Sequence, residues 1–333
     1  MKKFRNILVV VKQTPFEQYT LLKNQGKAPV ALRWGRLKNR YEVHQSCVNT
    51  VTGLLNNMDV TYSLIGREEM HRNVLADKDL VITVGGDGTL LSTSCFLDST
   101  IPILGINSDP TKPEEKGVAK SKDERRSRGA LCATSANNVN TNLPRVVMGD
   151  MEPGIRTRIQ CIVKSTYTET RLPPALNDIL VAHPSPAAVS RFRFSLNALD
   201  SNYNPAFQHM EHPEPGNQIF SYNCWSSGIW VSTATGSTAA MAAAGGYKMD
   251  VHSRNLQYMV REHLLEHETD EEGDMAEDKG HGELSPEQML HLRWNSQFGK
   301  VFVDGQHNAF DLTLGDEINI ESHAPELHIF EDF

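Results

Sequence analysis

No stretch of this 333-residue chain approaches the roughly 20 consecutive apolar residues that a membrane-spanning helix needs, which argues against a helical membrane anchor. Positive charge is not in excess either. The formal net charge of −8 argues against nucleic acid or an anionic membrane surface as a partner. Cysteines are few: Cys47, Cys95, Cys132, Cys161 and Cys224 are scattered and odd in number, a pattern of reduced, mostly buried thiols. A disulfide framework is not expected. The start, Met1-Lys2-Lys3-Phe4-Arg5-Asn6, runs straight into Ile7–Val11, an apolar run too short and too β-branched for a signal peptide. The final Glu331-Asp332-Phe333 is not a peroxisomal Ser-Lys-Leu address. A cytoplasmic chain is the expectation. Its length suits two domains, and no internal repeat is visible.

What the chain does have is Leu80-Val81-Ile82-Thr83-Val84-Gly85-Gly86-Asp87-Gly88-Thr89-Leu90-Leu91. The β-branched run reads as a strand covered on both faces. It stops at three glycines that bracket one carboxylate, and Thr89 opens a helical pattern. Glycines let backbone amides approach a ligand closely, and a helix N-terminus favours anions. A carboxylate repels phosphate unless a metal screens it or its task is to accept a proton. Familiar glycine signatures fail here. Gly86-Asp87-Gly88-Thr89-Leu90-Leu91 ends on leucine where a dinucleotide fingerprint needs glycine, and carries an acid where pyrophosphate would sit. Gly-Lys-Ser/Thr of a P-loop is missing, as are the His-Arg-Asp and Asp-Phe-Gly partners of a protein-kinase glycine loop. What remains is an element shared by several small-molecule and lipid kinases, or an ordinary glycine-rich turn.

In chain order, Ile7–Val11 is a first strand, with Lys12-Gln13-Thr14-Pro15 at the C-terminal end, where open α/β sheets gather ligands. Val43, Cys47, Val51, Leu54 and Leu55 mark one face of a helix. Val60–Leu64 is a second strand, Glu68–Leu75 a turn or two of helix, and Leu80–Val84 the third strand. Thr89–Leu97 is the helix after the glycine loop, and Pro102–Asn107 a fourth strand ending on a polar residue. Strands alternating with helices predict a doubly wound, mostly parallel sheet. Lys112 to Arg128 reads first as a charged, solvated surface loop, with triphosphate binding by Arg125-Arg126-Ser127-Arg128 as the lesser alternative. From about Gly154 short alternating strands take over: Arg156–Lys164, Ala175–Val181, Arg191–Leu196, Asn217–Asn223 and Gly228–Val231. One Ala- and Met-rich helix, Thr238–Ala244, interrupts them, with Gly245-Gly246 as its cap. Glu262 to Glu283 is strongly acidic and reads as a disordered insertion. Phe298–Asp304 with a turn at Asp304-Gly305, Ala309–Leu314, Glu317–Glu321 and Glu326–Phe330 complete the β region. The expected domains are residues 1–145, α/β, and 146–333, β-rich.

Two further constellations carry chemistry. Asn177 and Asp178 interrupt the apolar strand Ala175–Val181; the pair supplies donors and acceptors for a ribose diol or an adenine edge, or simply marks a turn. Ser226 to Ala240 is a strand, a hydroxyl-rich turn and a helix N-terminus. It suits an anion or sugar hydroxyls, or plain capping by Ser237 or Thr235. His263-Leu264-Leu265-Glu266-His267 matches a zinc signature on a helix, but no companion ligand follows and its surroundings are acidic and low in complexity, so a solvated helix end is the better reading.

Taken together, Gly85-Gly86-Asp87-Gly88-Thr89, Asn177-Asp178 and Thr235-Gly236-Ser237-Thr238-Ala239 resemble the NAD kinase family in order and spacing. Gly105-Ile106-Asn107-Ser108-Asp109-Pro110, Pro186–Phe192, Leu256–Glu262 and Val303-Asp304-Gly305 are similar to the plant NADH kinase branch. The resemblance implies a Rossmann-like N-terminal α/β domain, a β-rich C-terminal domain and a homodimer. It implies transfer of the γ-phosphoryl of ATP, with Mg²⁺, to the adenosine-ribose 2′-hydroxyl of NAD or NADH. Asp87 then matches the catalytic aspartate. Gly85, Gly86, Gly88, Thr89 and Asn107 belong to the nucleotide-binding set with Asn177, Asp178, Thr235, Gly236, Ser237, Thr238 and Ala239. Two departures stand out: many relatives have Thr-Ala-Tyr at Thr238-Ala239-Ala240 and Asp-Gly at Ser227-Gly228. Both bear on how the nicotinamide end is held. A lipid or other small-molecule kinase and a catalytically silent dinucleotide-binding regulator are the competing readings.

Overall fold

The computed structural model describes residues 3–110, 128–200, 217–264 and 280–331. Most of the loop expected from Lys112 to Arg128, with Arg125 and Arg126, lies outside the described residues, as does most of the acidic stretch, with Glu266 and His267. The chain forms two compact units, one of residues 1–155 with 327–333 and one of residues 156–326. Among the described residues no helix is long and apolar enough to cross a membrane.

The first unit carries β1 (Asn6–Val11), α1 (Pro15–Asn24), α2 (Trp34–Asn56), β2 (Thr61–Gly66), β3 (Leu80–Gly85), α3 (Asp87–Ser94), β4 (Ile103–Asn107), β5 (Thr134–Ser135), α4 (Val139–Val147) and β6 (Gly154–Arg156). The parallel order β2-β1-β3-β4 puts β3 at the centre, where every one of its residues is buried. That is why its run is apolar without alternation. α1, absent from the sequence reading, starts at a capping box: the Glu17 N–H donates to Thr14 Oγ1, and the Thr14 N–H donates to Glu17 Oε2. α2 buries His44, Cys47, Val48, Val51 and Leu55 along one stripe, and all but His44 join the apolar cluster of Val9, Ile82 and Leu104. Glu68–Leu75 forms two short 3₁₀ turns.

The second unit is two antiparallel sheets around one core. Its strands are β7 (Gln160–Lys164), β8 (Glu169–Arg171), β9 (Asp178–Ala182), β10 (Ser190–Ala198), β11 (Gln218–Ser226), β12 (Gly228–Ser232), β13 (Leu256–Arg261), β14 (His281–Leu284), β15 (Gln288–Trp294), β16 (Phe298–Val303), β17 (Ala309–Thr313) and β18 (Glu317–Glu321). One sheet runs β11-β10-β15-β18-β7-β8 and the other β14-β13-β12-β9-β16-β17. Phe194, Trp294, Ile229 and Val301 share their common core. Between β12 and β13 lies one five-residue helix, α5 (Ala240–Ala244).

Three expectations are corrected. The single strand expected over Arg156–Lys164 divides around Arg158, which is fully buried and donates from Nε to the Pro325 carbonyl at 2.6 Å. A buried guanidinium needs such a partner, and an unbroken ladder would not supply it. The strand expected at Glu326–Phe330 does not extend the β-rich sheets. It is β19 (Leu327–Ile329), parallel to β4, with the buried ring of Phe330 edge-on to Phe4 at 6.2 Å. The helix expected over Thr238–Ala244 is a 3₁₀ turn at Gly236–Thr238 and then α5, separated by Ala239 with non-helical φ −100° and ψ −120°.

Candidate active site

At the end of β3 the chain must turn sharply beside its own helix. Gly85 cannot carry a side chain: a Cβ there would run into Thr89 Oγ1 and meet Lys12 Cβ at 3.0 Å. Gly86 is extended (φ −146°) and serves as N-cap, so α3 begins at Asp87, two residues before the expected start. Asp87 therefore lies in the first turn, where its charge suits the helix dipole and where backbone N–H groups lack intrahelical acceptors. Asp87 is half-buried and Gly88 exposed, whereas Thr89 is buried and its N–H donates to the Gly86 carbonyl. The face offered to a ligand is thus Asp87-Gly88, with Gly86 buried behind it. One Asp87 oxygen, Oδ1, accepts the N–H of Leu131 at 2.9 Å.

Asn107, the last residue of β4, stands in register with Gly85 and is buried. Next to it Ser108 ties the strand ends together: its N–H donates to the Gly85 carbonyl at 2.8 Å, and its Oγ lies 2.8 Å from His44 Nδ1. Lys12, at the end of β1, donates its N–H to Val84. Burial holds its ammonium below the usual lysine range, against the pull of Asp109; Arg40 and Arg67 push the same way as burial. Three cations and the first-turn amides of α3 therefore bear on the C-terminal edge of this sheet. The thiol of Cys132 is pushed up to about 12 by burial and by the Asp87 charge.

In the second unit Asn177 immediately precedes β9 and Asp178 opens it. Leu176 and Asn177 give their carbonyls to Thr233: Oγ1 donates to Leu176 at 2.6 Å, and N–H to Asn177 at 2.9 Å. The Thr235–Ala239 turn then lies directly over Asn177. A Cβ on Gly236 would overlap the Asn177 carbonyl, so only glycine allows this approach. Ser237 is buried, with Oγ donating to Ala234 and accepting the Met249 N–H, while Thr238 and Ala239 are exposed. Thr235 stands at the N-cap of the Gly236–Thr238 turn without a side-chain capping bond, and Ser237 lies inside that turn, so the plain-capping alternative is not realised through either side chain. The turn is held by Thr233, whose Oγ1 also accepts the Gly236 N–H at 3.1 Å. The predicted residues thus gather as two groups, Gly85 to Thr89 with Asn107 in the first unit, and Asn177, Asp178 and Thr235 to Ala239 in the second.

The ATP-NAD kinase N-terminal domain matches residues 32–109. A probable NADH kinase of Oryza sativa subsp. japonica is 38% identical over 294 residues, 88% of this chain and 83% of that protein. The NADH kinase of Arabidopsis thaliana is 37% identical over 331 residues, 98% of this chain and 95% of its own. The chain belongs to the NAD kinase family. Solved structures share its fold: yeast NADH kinase complexed with NADH, at TM-score 0.62 and 16% identity, matches 100% of this chain and 85% of that one. An Archaeoglobus fulgidus NAD kinase in complex with ATP follows at TM-score 0.60 and 19% identity, covering 98% and 94%.

In this chain the departure at Ser227-Gly228 is partly made good. Ser227 Oγ hydrogen-bonds the Glu262 carboxylate, so a negative charge remains at that turn on another residue. Two groups that hold the Gly85–Ser108 strand ends and Asp87 in place had no sequence signal of their own. Leu131 acts through a backbone N–H, which any residue but proline has, and His44 reads as one more position on the buried stripe of α2.

Proposed function

We propose that the chain is an NAD(H) kinase, transferring the γ-phosphoryl of ATP to the adenosine-ribose 2′-hydroxyl of NADH or NAD to give NADPH or NADP. The observation that carries this is Asp87 in the first turn of α3, flanked by Gly86 and Gly88, in a chain 37% identical over 98% of its length to an NADH kinase. Phosphoryl transfer requires alignment, charge neutralisation and a proton acceptor. The first-turn amides and Lys12 supply positive potential for the triphosphate, and the basic neighbours Arg40 and Arg67 strengthen it. Asp87, oriented by Leu131, accepts the hydroxyl proton or orients the hydroxyl. Asn177 and Asp178 hold the ribose or adenine edge, and the Gly236 turn shapes the same pocket wall.

Magnesium fits here as a companion of the triphosphate. It is a hard cation that takes one or two carboxylates and fills its shell with phosphates and water. Asp87 is the carboxylate that would help hold it, and it would supply charge neutralisation for the triphosphate. Among the described residues no group of three or more His, Cys, Asp or Glu side chains forms a protein cage for an ion. The protein works as a cytoplasmic homodimer in this proposal. Five buried thiols outside any disulfide support a reducing compartment, and the family resemblance supports the dimer.

Incubation with magnesium and ATP, separately with NAD and with NADH, tests the function by the appearance of NADP or NADPH. Product from at least one dinucleotide is expected. No product from either overturns the proposal in favour of a silent dinucleotide-binding regulator or a kinase for another small molecule.

A further inference from the structure

The Asp304-Gly305 turn, which closes β16, takes no part in the function as derived so far. Yet Asp304 is one of three described non-glycine residues in the left-handed region, at φ +50°, a conformation that L side chains adopt at a cost. What it gains is a dense set of hydrogen bonds. Oδ2 accepts the N–H of Leu176 at 2.7 Å, and Oδ1 accepts those of Asn177 at 2.7 Å and Asp178 at 3.1 Å. Its own N–H donates to the Asp178 carbonyl at 3.0 Å. Three consecutive peptides thus point their N–H groups at one carboxylate, while Thr233 holds the carbonyls of Leu176 and Asn177. The segment is gripped through its backbone, leaving the Asn177 and Asp178 side chains to other work.

We propose that Asp304 is a positioning residue for the dinucleotide: by clamping the peptides of Leu176, Asn177 and Asp178 it presents Asn177 and Asp178 in one binding geometry. This rests on the reading of Asn177 and Asp178 as dinucleotide-binding residues. The charges support it. Burial pushes the Asp178 carboxyl up to about 7, and the Asp304 charge adds to the rise. Burial also raises Asp304, against the three peptide N–H groups and the Arg158 charge, which lower it. Asp304 is the charged group bearing on Asp178, and Arg158 bears on Asp304; Ser232, opposite Asp178 on β12, is uncharged.

The test is Asp304→Asn in the full chain, beside wild type, with product formed from Mg–ATP and each dinucleotide. Wild type without product defeats the function proposal itself, before any variant is compared. With wild type active, Asp304→Asn raises KM for the dinucleotide about 10- to 100-fold, and kcat and KM for ATP stay within about threefold. In wild type, kcat/KM for the dinucleotide rises with pH through about 7 as Asp178 ionises. In Asp304→Asn that limb moves to lower pH, because the repelling charge is gone. An unchanged dinucleotide KM with a lowered melting temperature makes the clamp merely structural and overturns the proposal, as does an equal rise in both KM values. If Asp304→Asn does not fold, Thr233→Val decides. It removes the hydroxyl from the other side of the same peptides, and the same split between the two KM values is expected at about 3- to 10-fold; no split overturns the proposal.

Discussion

The backbone N–H of Leu131 donates to Asp87 Oδ1 at 2.9 Å, across 44 residues of sequence. A donor to an ionised carboxylate fixes its orientation and strengthens with its charge. One oxygen of Asp87 is therefore committed to structure, and the proposed function assigns the chemistry to the other. Asp87→Asn keeps an oxygen for Leu131 and removes the base. It should lower kcat by about 10²–10⁴, with both KM values within a few-fold of wild type in steady-state assays. A rate near that of wild type removes Asp87 from the mechanism.

Gly85→Ala should fold less stably by about 1–3 kcal/mol, because its Cβ overpacks Thr89 and Lys12 in a fully buried corner. Adding Thr89→Ala removes the colliding Oγ1 and should restore part of the loss in urea melts. Without that recovery, the collision is not the cause.

Asp178 should be a liability to its own unit. Its folded carboxyl keeps a proton, up to about pH 7, that the unfolded chain releases near pH 4, so stability falls as pH climbs through that window. Asp178→Asn should stabilise the second unit by on the order of 1–3 kcal/mol at pH 8, and scarcely at pH 4, while weakening dinucleotide binding. Equal melting temperatures for the two proteins at pH 8 would contradict this.

His44 predicts the opposite slope. Burial, and then the Lys12 charge, hold its imidazole below the usual value of 6.5, with Glu17, Asp109 and the Lys12 backbone pulling the other way. The folded chain keeps it neutral where the unfolded chain takes a proton. Its contribution is complete above about pH 6.5 and is lost as pH falls towards the lowered folded value. Hydrogen-exchange free energies of α2 should drop on acidification to pH 5, and His44→Gln should flatten that dependence. A drop of the same size in the variant would assign it elsewhere.

Glu262 should influence which dinucleotide is favoured. It supplies the negative charge at a turn where many NAD kinases carry an aspartate at the Ser227 position. Oxidised nicotinamide is positive and reduced nicotinamide is not. Glu262→Gln should therefore lower kcat/KM for NAD by about threefold, a modest exposed-charge effect, and leave NADH unchanged. Equal effects on both would place Glu262 away from the nicotinamide.

The strands β1, β3 and β4 were legible because burial on both faces leaves an unmistakable continuous run of Val, Ile and Leu. The start of α3 was read at Thr89 instead of Asp87, since glycine and aspartate are poor helix formers and only the extended Gly86 shows them to be a first turn. Asp304 was legible as half of an Asp-Gly turn. Its partners, 126 to 128 residues away, were not, because they are peptide groups without side-chain identity. Leu327–Ile329 was legible as a strand but not as a neighbour of Ile103: a period of two says that a face is buried, not which sheet buries it.

That last strand orders events in time. β19 lies beside β4 in the first sheet, although all of residues 156–326, which make up the second unit, come between them. During synthesis the edge of β4 must wait for Leu327–Ile329, so the second unit can complete its own core while the first still lacks a strand. A chain cut after Glu326 would lose none of the clamp around Asp304, yet it would leave β4 with an open edge and a ring-sized hole opposite Phe4. Damage near the C-terminus should therefore be felt first where β1 and β4 begin, in the first unit, and not at the β-rich sheets nearest in sequence.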